Sequence, residues 1–125
     1  MTRVVSDYEA YLFGEGTWLR AWEKLGARPA TQDGQAGYSF VVWAPTAQRV
    51  SVVGDFNAWD GRTHPMQSLG ASGLWETFVP GVTAGHPYKF EIESSLGGPS
   101  FTKADPFALR AEHPPKTASL TSDLG

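Results

Sequence analysis

Between Tyr38 and Ala44 the chain is apolar on both sides of a period-two pattern. Tyr38, Phe40, Val42 and Ala44 fall on one face, Ser39, Val41 and Trp43 on the other. Successive strand residues point to opposite faces, so a strand with two apolar faces has to be covered twice. The pattern predicts a central strand, ended by Pro45, which has no N–H to continue a ladder. Three other runs read as strands: Val50–Val53, Trp75–Val79 stopped by Pro80, and Tyr88–Glu93. In the last, Tyr88, Phe90 and Ile92 point inward and Lys89, Glu91 and Glu93 outward. Turn chemistry separates the runs: Asp33-Gly34, a Gly61–Gly73 loop, Gly81–Pro87, and Gly97-Gly98 leading into Ser100–Lys103. Thr117–Leu120 reads as a last edge strand. With 125 residues, 14 glycines and 9 prolines, the chain suits one all-β domain, a sandwich or a barrel. The predicted core is Phe40, Val42, Val50, Val52, Trp75, Phe90 and Ile92.

The N-terminal stretch reads differently. Ser6 and Asp7 are helix N-cap types with Glu9 just after them, and Tyr8, Tyr11 and Leu12 recur at helical spacing. Gly14 and Gly16 stop this helix. A second helical turn is expected to carry Trp18, Leu19, Trp22 and Leu25 up to Gly26. The rings of this stretch are expected to pack on the sheet. The resulting division is a helical segment at 1–26, a β-sandwich at 27–112, and a stretch at 113–125, opened by His113-Pro114-Pro115-Lys116, that reads as a linker.

Most chemistries are disfavoured. The net charge is −3 with no basic run, which argues against nucleic acid and anionic membrane as partners. There is no cysteine, and the longest apolar run, Phe40–Pro45, is too short to span a bilayer. Met1–Val5 has no long apolar core of a leader, so a cytoplasmic protein is expected. His64, His86 and His113 lie far apart, and no metal or cofactor is expected. No nucleophile elbow or phosphate loop occurs, so no catalytic residue is assigned. Asp55 and Asp60 flank Trp59 as a carboxylate pair would, but turn formation explains them as well.

A binding surface remains. Val50–Asp60 begins as a β-branched strand and ends, after Gly54, in a polar turn with two rings, Phe56 and Trp59. Those rings either cap the core or offer a stacking surface. Sugars present apolar C–H faces and many hydroxyls, and a site for them needs a ring with amides and charges at its edge. Trp59 could supply the ring, Asn57 the amide and Lys89 a donor, with Phe101 as a second ring. The alternatives are a solvated strand face for Lys89 and core packing for Phe101.

Gly54-Asp55-Phe56-Asn57-Ala58-Trp59, followed by Tyr88-Lys89-Phe90 and Asp105-Pro106, resembles the glycogen-binding type of carbohydrate-binding module, family 48. Tyr11–Thr17, Lys24–Ala27, Val42–Pro45, Arg49–Gly54, His64–Met66 and Pro115–Ser119 are similar to the amino-terminal module of bacterial 1,4-α-glucan (glycogen) branching enzymes. The resemblance implies an immunoglobulin-like antiparallel β-sandwich. It implies α-1,4-glucan (glycogen, starch, maltooligosaccharides) as partner, with Trp59 as the stacking ring, Lys89 beside it, and Phe101 and Thr102 on the hairpin beyond. It also implies a catalytic (β/α)₈ barrel elsewhere in the same polypeptide, whose two aspartates and glutamate would do the branching chemistry, so this chain alone is expected to have none. Alternatives of other classes are a docking domain without sugar binding, the equivalent module of a related α-amylase-family enzyme, and a kinase regulatory domain. The helical Tyr8–Gly26 stretch argues against the last.

Overall fold

The Asp33-Gly34 pair makes the tight turn its sequence predicts. Both residues are left-handed, with φ of 53° and 79°, as a two-residue hairpin requires. The turn joins β1 (Gly26–Gln32) to β2 (Gln35–Trp43) in the computed structural model, which describes residues 5–16, 24–105, 110–111 and 118–121. The further strands are β3 (Ala47–Gly54), β4 (Gln67–Ser68), β5 (Leu74–Pro80), β6 (Pro87–Ser94), β7 (Phe101–Lys103), β8 (Arg110–Ala111) and β9 (Ser119–Leu120). The first sheet has the order β1-β2-β5-β4 and the second β3-β6-β9-β8, all antiparallel. Because β3 runs along one edge of β6, β7 and β9 share the other. One helix, α1 (Asp7–Gly14), precedes the sheets. The fold is therefore the two-sheet immunoglobulin-like sandwich with a short helical start.

The seven predicted core residues all lie in one buried cluster between the sheets, joined by Tyr38, Met66, Val79 and Tyr88. Phe40 packs edge-on against Tyr88 with ring centres 5.2 Å apart. Tyr88 is fully buried and its hydroxyl donates to Asp105 Oδ2 at 2.6 Å, while Asp105 N–H donates to Ser119 Oγ at 2.9 Å. Burial, then the charge of Asp105, keeps the phenol protonated well above its ordinary range.

The double coverage required of Tyr38–Ala44 is met. Phe40 and Val42 face the second sheet, and Val41 faces a separate cluster with Val5, Ala10, Leu25 and Leu74. Ser6 caps α1 in a capping box: its hydroxyl accepts Glu9 N–H and Glu9 Oε1 accepts Ser6 N–H. Glu9 also takes Lys24 Nζ at 2.7 Å. Glu76, fully buried on β5, accepts Val5 N–H at 2.8 Å and ties the chain start to the sheet.

Three expectations need correction. Two rings of α1, Tyr8 and Tyr11, are exposed rather than packed, while Phe13 meets the Trp43 ring with centres 6.2 Å apart. The small Ala10 is the residue of α1 buried against Val5, Leu25, Val41 and Leu74. Trp18 and Trp22 lie outside the described residues. The Gly61–Gly73 loop is partly structured. His64 and Met66 bond the free edge of β3, and β4 then pairs with β5, so this segment passes from one sheet to the other. The stretch 113–125 is not all linker. Ser119–Leu120 is paired between β6 and β8 rather than at an edge, and Ala118, Ser119 and Thr121 are buried. His113–Lys116 lies outside the described residues.

Candidate functional site

Three consecutive devices build the turn after β3. Gly54 allows a close approach no side chain would permit, since a Cβ there would lie 2.6 Å from the Phe56 ring and from the Pro87 carbonyl. Asp55–Asn57 then forms one short helical turn. Ala58 and Trp59 follow, both left-handed, with φ of 55° and 60°. Two such residues in succession, one of them bulky, are uncommon and are held by their surroundings. Trp59 N–H donates to the Gly54 carbonyl at 2.9 Å. The Asn57 amide is turned inward: Oδ1 accepts Gly54 N–H at 3.0 Å, and Nδ2 donates to the Val52 carbonyl at 3.0 Å and meets His64 Nδ1 at 2.9 Å.

This clamp separates the two rings. Phe56 lies half-buried against Phe40, His64 and His86, at 6.0, 6.0 and 6.1 Å between ring centres. Trp59 faces out, 43% exposed. Beyond it, Asp60 grips Arg62 through Nε at 3.1 Å and Nη2 at 3.0 Å, and accepts Arg62 N–H at 2.9 Å. These bonds to Arg62 hold the Asp60 carboxyl below its ordinary value. Burial lowers the His64 imidazole, which favours the neutral ring whose Nδ1 can accept from Asn57. Asp55 and Asp60 thus do not form an opposed pair: Asp55 binds His86 Nδ1 at 2.8 Å instead.

Cross-strand partners share a face, so the register assigns the other candidates. Lys89 pairs with Val53 on the outer face of the second sheet, and Glu91 pairs with Ser51 on one side and Thr102 on the other. Trp59 is tied to Gly54, which pairs with Tyr88, so its turn leaves the sheet next to Lys89. Lys89 is half-buried beside a fully buried Val53. Lys89 and Thr102 therefore lie on the outer face of the second sheet, and the turn that carries Trp59 leaves β3 one residue pair from Lys89. Phe101 pairs with Ile92, on the opposite face of the sheet from Lys89 and Thr102, yet its ring is half-exposed and takes no part in the core cluster. Asn57 contributes bonds to the turn rather than an amide at the surface.

Sequence reasoning passed over Arg49, Ser51, Gly61 and Glu91. They line a cleft of about 510 Å³ on this same outer face, with Arg62 and Glu93. Alternation points Glu91 outward but does not reveal its pairing with Ser51. Among the described residues no group of three His, Asp or Glu is placed to hold a metal ion, and no helix is long and apolar enough to cross a membrane.

A two-sheet antiparallel sandwich with an exposed ring on the turn after β3 places the chain in the class of immunoglobulin-like β modules. The chain belongs to the carbohydrate-binding module 48 family (isoamylase N-terminal domain), whose profile matches residues 24–108. It is similar to the 1,4-alpha-glucan branching enzyme GlgB of Myxococcus xanthus, 55% identical over 96% of this chain and 16% of that protein. It is likewise similar to the enzyme of the same name from Rubrobacter xylanophilus, 54% identical over 97% and 16%. Among solved structures it resembles Klebsiella pneumoniae pullulanase complexed with maltotriose, with a TM-score of 0.59 and 27% identity over 79% of this chain and 9% of that one. The chain thus spans about a sixth of the length of the branching enzymes it matches.

Proposed function

We propose that this domain is a non-catalytic module of a cytoplasmic 1,4-α-glucan branching enzyme, and that it binds α-1,4-glucan through Trp59 with Lys89 and Thr102 beside it. The carrying observation is the double left-handed backbone at Ala58-Trp59, which costs free energy and leaves a large ring exposed. A stacking ring held rigid loses little entropy when a sugar settles on it. Asn57 acts as the positioning residue of that turn. A weak site tethered to a catalytic barrel raises the local concentration of glucan chains without new chemistry. The parent would cut an α-1,4 link and reform it as α-1,6, a reading supported by the names of the relatives.

Titration of maltoheptaose into the chain, followed by heteronuclear NMR, tests the site. Saturable shifts around Trp59 and Lys89, weakened about fivefold or more in Trp59→Ala, are expected. Shifts indifferent to Trp59→Ala in a folded protein would remove Trp59 from the site.

A docking role is a second reading, favoured by Tyr8 and Tyr11, exposed on α1, and by Trp43, half-exposed beside Phe13. Such rings suit contact with the remainder of a longer polypeptide.

A further inference from the structure

The outer face of the second sheet holds a polar cleft that the Trp59 turn itself walls off. Its floor is the cross-strand pair Ser51 and Glu91, with Arg49 and Glu93 one pair further along. Its wall is Gly61-Arg62, two residues beyond Trp59. The wall comes so close that a Cβ at Gly61 would lie 2.3 Å from Glu91 Oε1, and Gly61 is what lets the two approach. Arg62 is fixed in place by its fork to Asp60.

The polar groups of this floor are uncommitted. Gln48 donates to Glu93, but the half-buried Glu91 carboxylate, the half-buried Ser51 hydroxyl and the Arg49 guanidinium take part in no hydrogen bond or ion pair with described residues. Arg49 is exposed and Ser51 and Glu91 are half-buried, so all three are reachable from solvent, and polar groups left free on a cleft floor are available to an external ligand. Arginines and glutamates both line the cleft, which fits a neutral ligand rather than an anion or cation. A carboxylate accepting from neighbouring hydroxyls, with a guanidinium and a serine beside it, matches the edge of a sugar ring. Met66 and Trp75 add apolar surface to the lining.

We propose that Arg49, Ser51 and Glu91 form a second, hydroxyl-reading subsite for the glucan chain whose stacking partner is Trp59, an inference that rests on the reading above. The turn carries the exposed Trp59 and, two residues on, the Gly61 wall of the cleft, so a chain lying along it would reach both. Trp59 supplies stacking, and the cleft supplies charge-assisted hydrogen bonds.

Maltoheptaose titrations of wild type, Trp59→Ala, Glu91→Gln and Gly61→Ala separate the two claims. Glu91→Gln keeps the shape and loses the carboxylate. Gly61→Ala pushes the flexible Glu91 side chain aside while the fold stays intact, which an unchanged melting curve verifies. In wild type, shifts at Ser51, Gly61 and Glu91 are expected together with those at Trp59. Each cleft variant should weaken binding about fivefold. Shifts confined to Trp59 and Lys89, with affinity untouched by both cleft variants, would overturn the cleft and leave Trp59 standing. Cleft shifts abolished by Glu91→Gln but unchanged in Trp59→Ala would support the cleft and overturn the Trp59 reading. No shift anywhere in wild type would overturn both.

Discussion

The two outer faces of this sandwich have opposite fates. On the first sheet the outer face is closed around Val41, although Trp43 at its end stays half-exposed. Val41 and Leu74 are fully buried under α1 and the chain start, and even the Glu76 carboxylate is sealed in, accepting Val5 N–H. On the second sheet the matching positions Ser51 and Glu91 stay half-exposed, with their polar atoms unused. Closing a face with apolar contacts adds stability; leaving it open with unpaired polar groups adds none and is consistent with binding. The difference places stabilising contacts on one face and leaves the other as the face proposed to bind.

The sharpest way to break this division is the same change on both faces. Val41→Asp would bury a carboxylate directly opposite Glu76, at a cost of several kcal/mol or more, and should abolish cooperative folding. Ser51→Asp faces Glu91 across the open sheet and should cost only roughly 0.2–1 kcal/mol. Thermal melts by circular dichroism compare them. If both fold equally well, the first outer face is not closed as described.

Leu74→Ala should cost about 2–5 kcal/mol, a large share of the stability of a domain this size. Urea denaturation reads it. A loss under about 1 kcal/mol would mean that the N-terminal cover is loosely packed.

Asn57→Ala tests where the open face meets the core. It strands Gly54 N–H and the Val52 carbonyl, for about 1–3 kcal/mol. It should also weaken maltoheptaose binding, although the Asn57 amide points inward, because Trp59 loses its clamp. Unchanged glucan affinity in a destabilised variant would detach Asn57 from the site.

The smallest effect is on pH. The folded state lowers the His64 pKa below its ordinary value near 6.5, so the unfolded chain binds the proton more readily. His64 therefore costs the fold nothing above that value, and stability declines as pH falls below it. Protonation at Nδ1 would also oppose the Asn57 N–H donors. Urea midpoints at pH 7.5 and pH 5 should differ more in wild type than in His64→Gln. An equal difference would show that His64 is not titrating in that window.

Much of the fold was readable from local pattern. Strand positions, the inward set Tyr88, Phe90 and Ile92, the Asp33-Gly34 turn and the Ser6 cap all depend on stereochemistry within a few residues, which does not change with the rest of the molecule. The two apolar faces of Tyr38–Ala44 even required a cover, though not which residues would form it. Only tertiary structure decided the rest. Phe101 sits in a three-residue strand, where a slip of one residue moves every side chain to the other face, and its pairing with Ile92 rather than Glu91 set which face it takes. Asn57 could have pointed either way until the carbonyl of Val52 and the ring of His64 took its donors. The Ser51–Glu91 pair, 40 residues apart in the chain, exists only because β3 and β6 align in one register. Alternation assigns a side chain to a face; which other side chains share that face is set by contacts between distant segments, and the chemistry of the open cleft arises there.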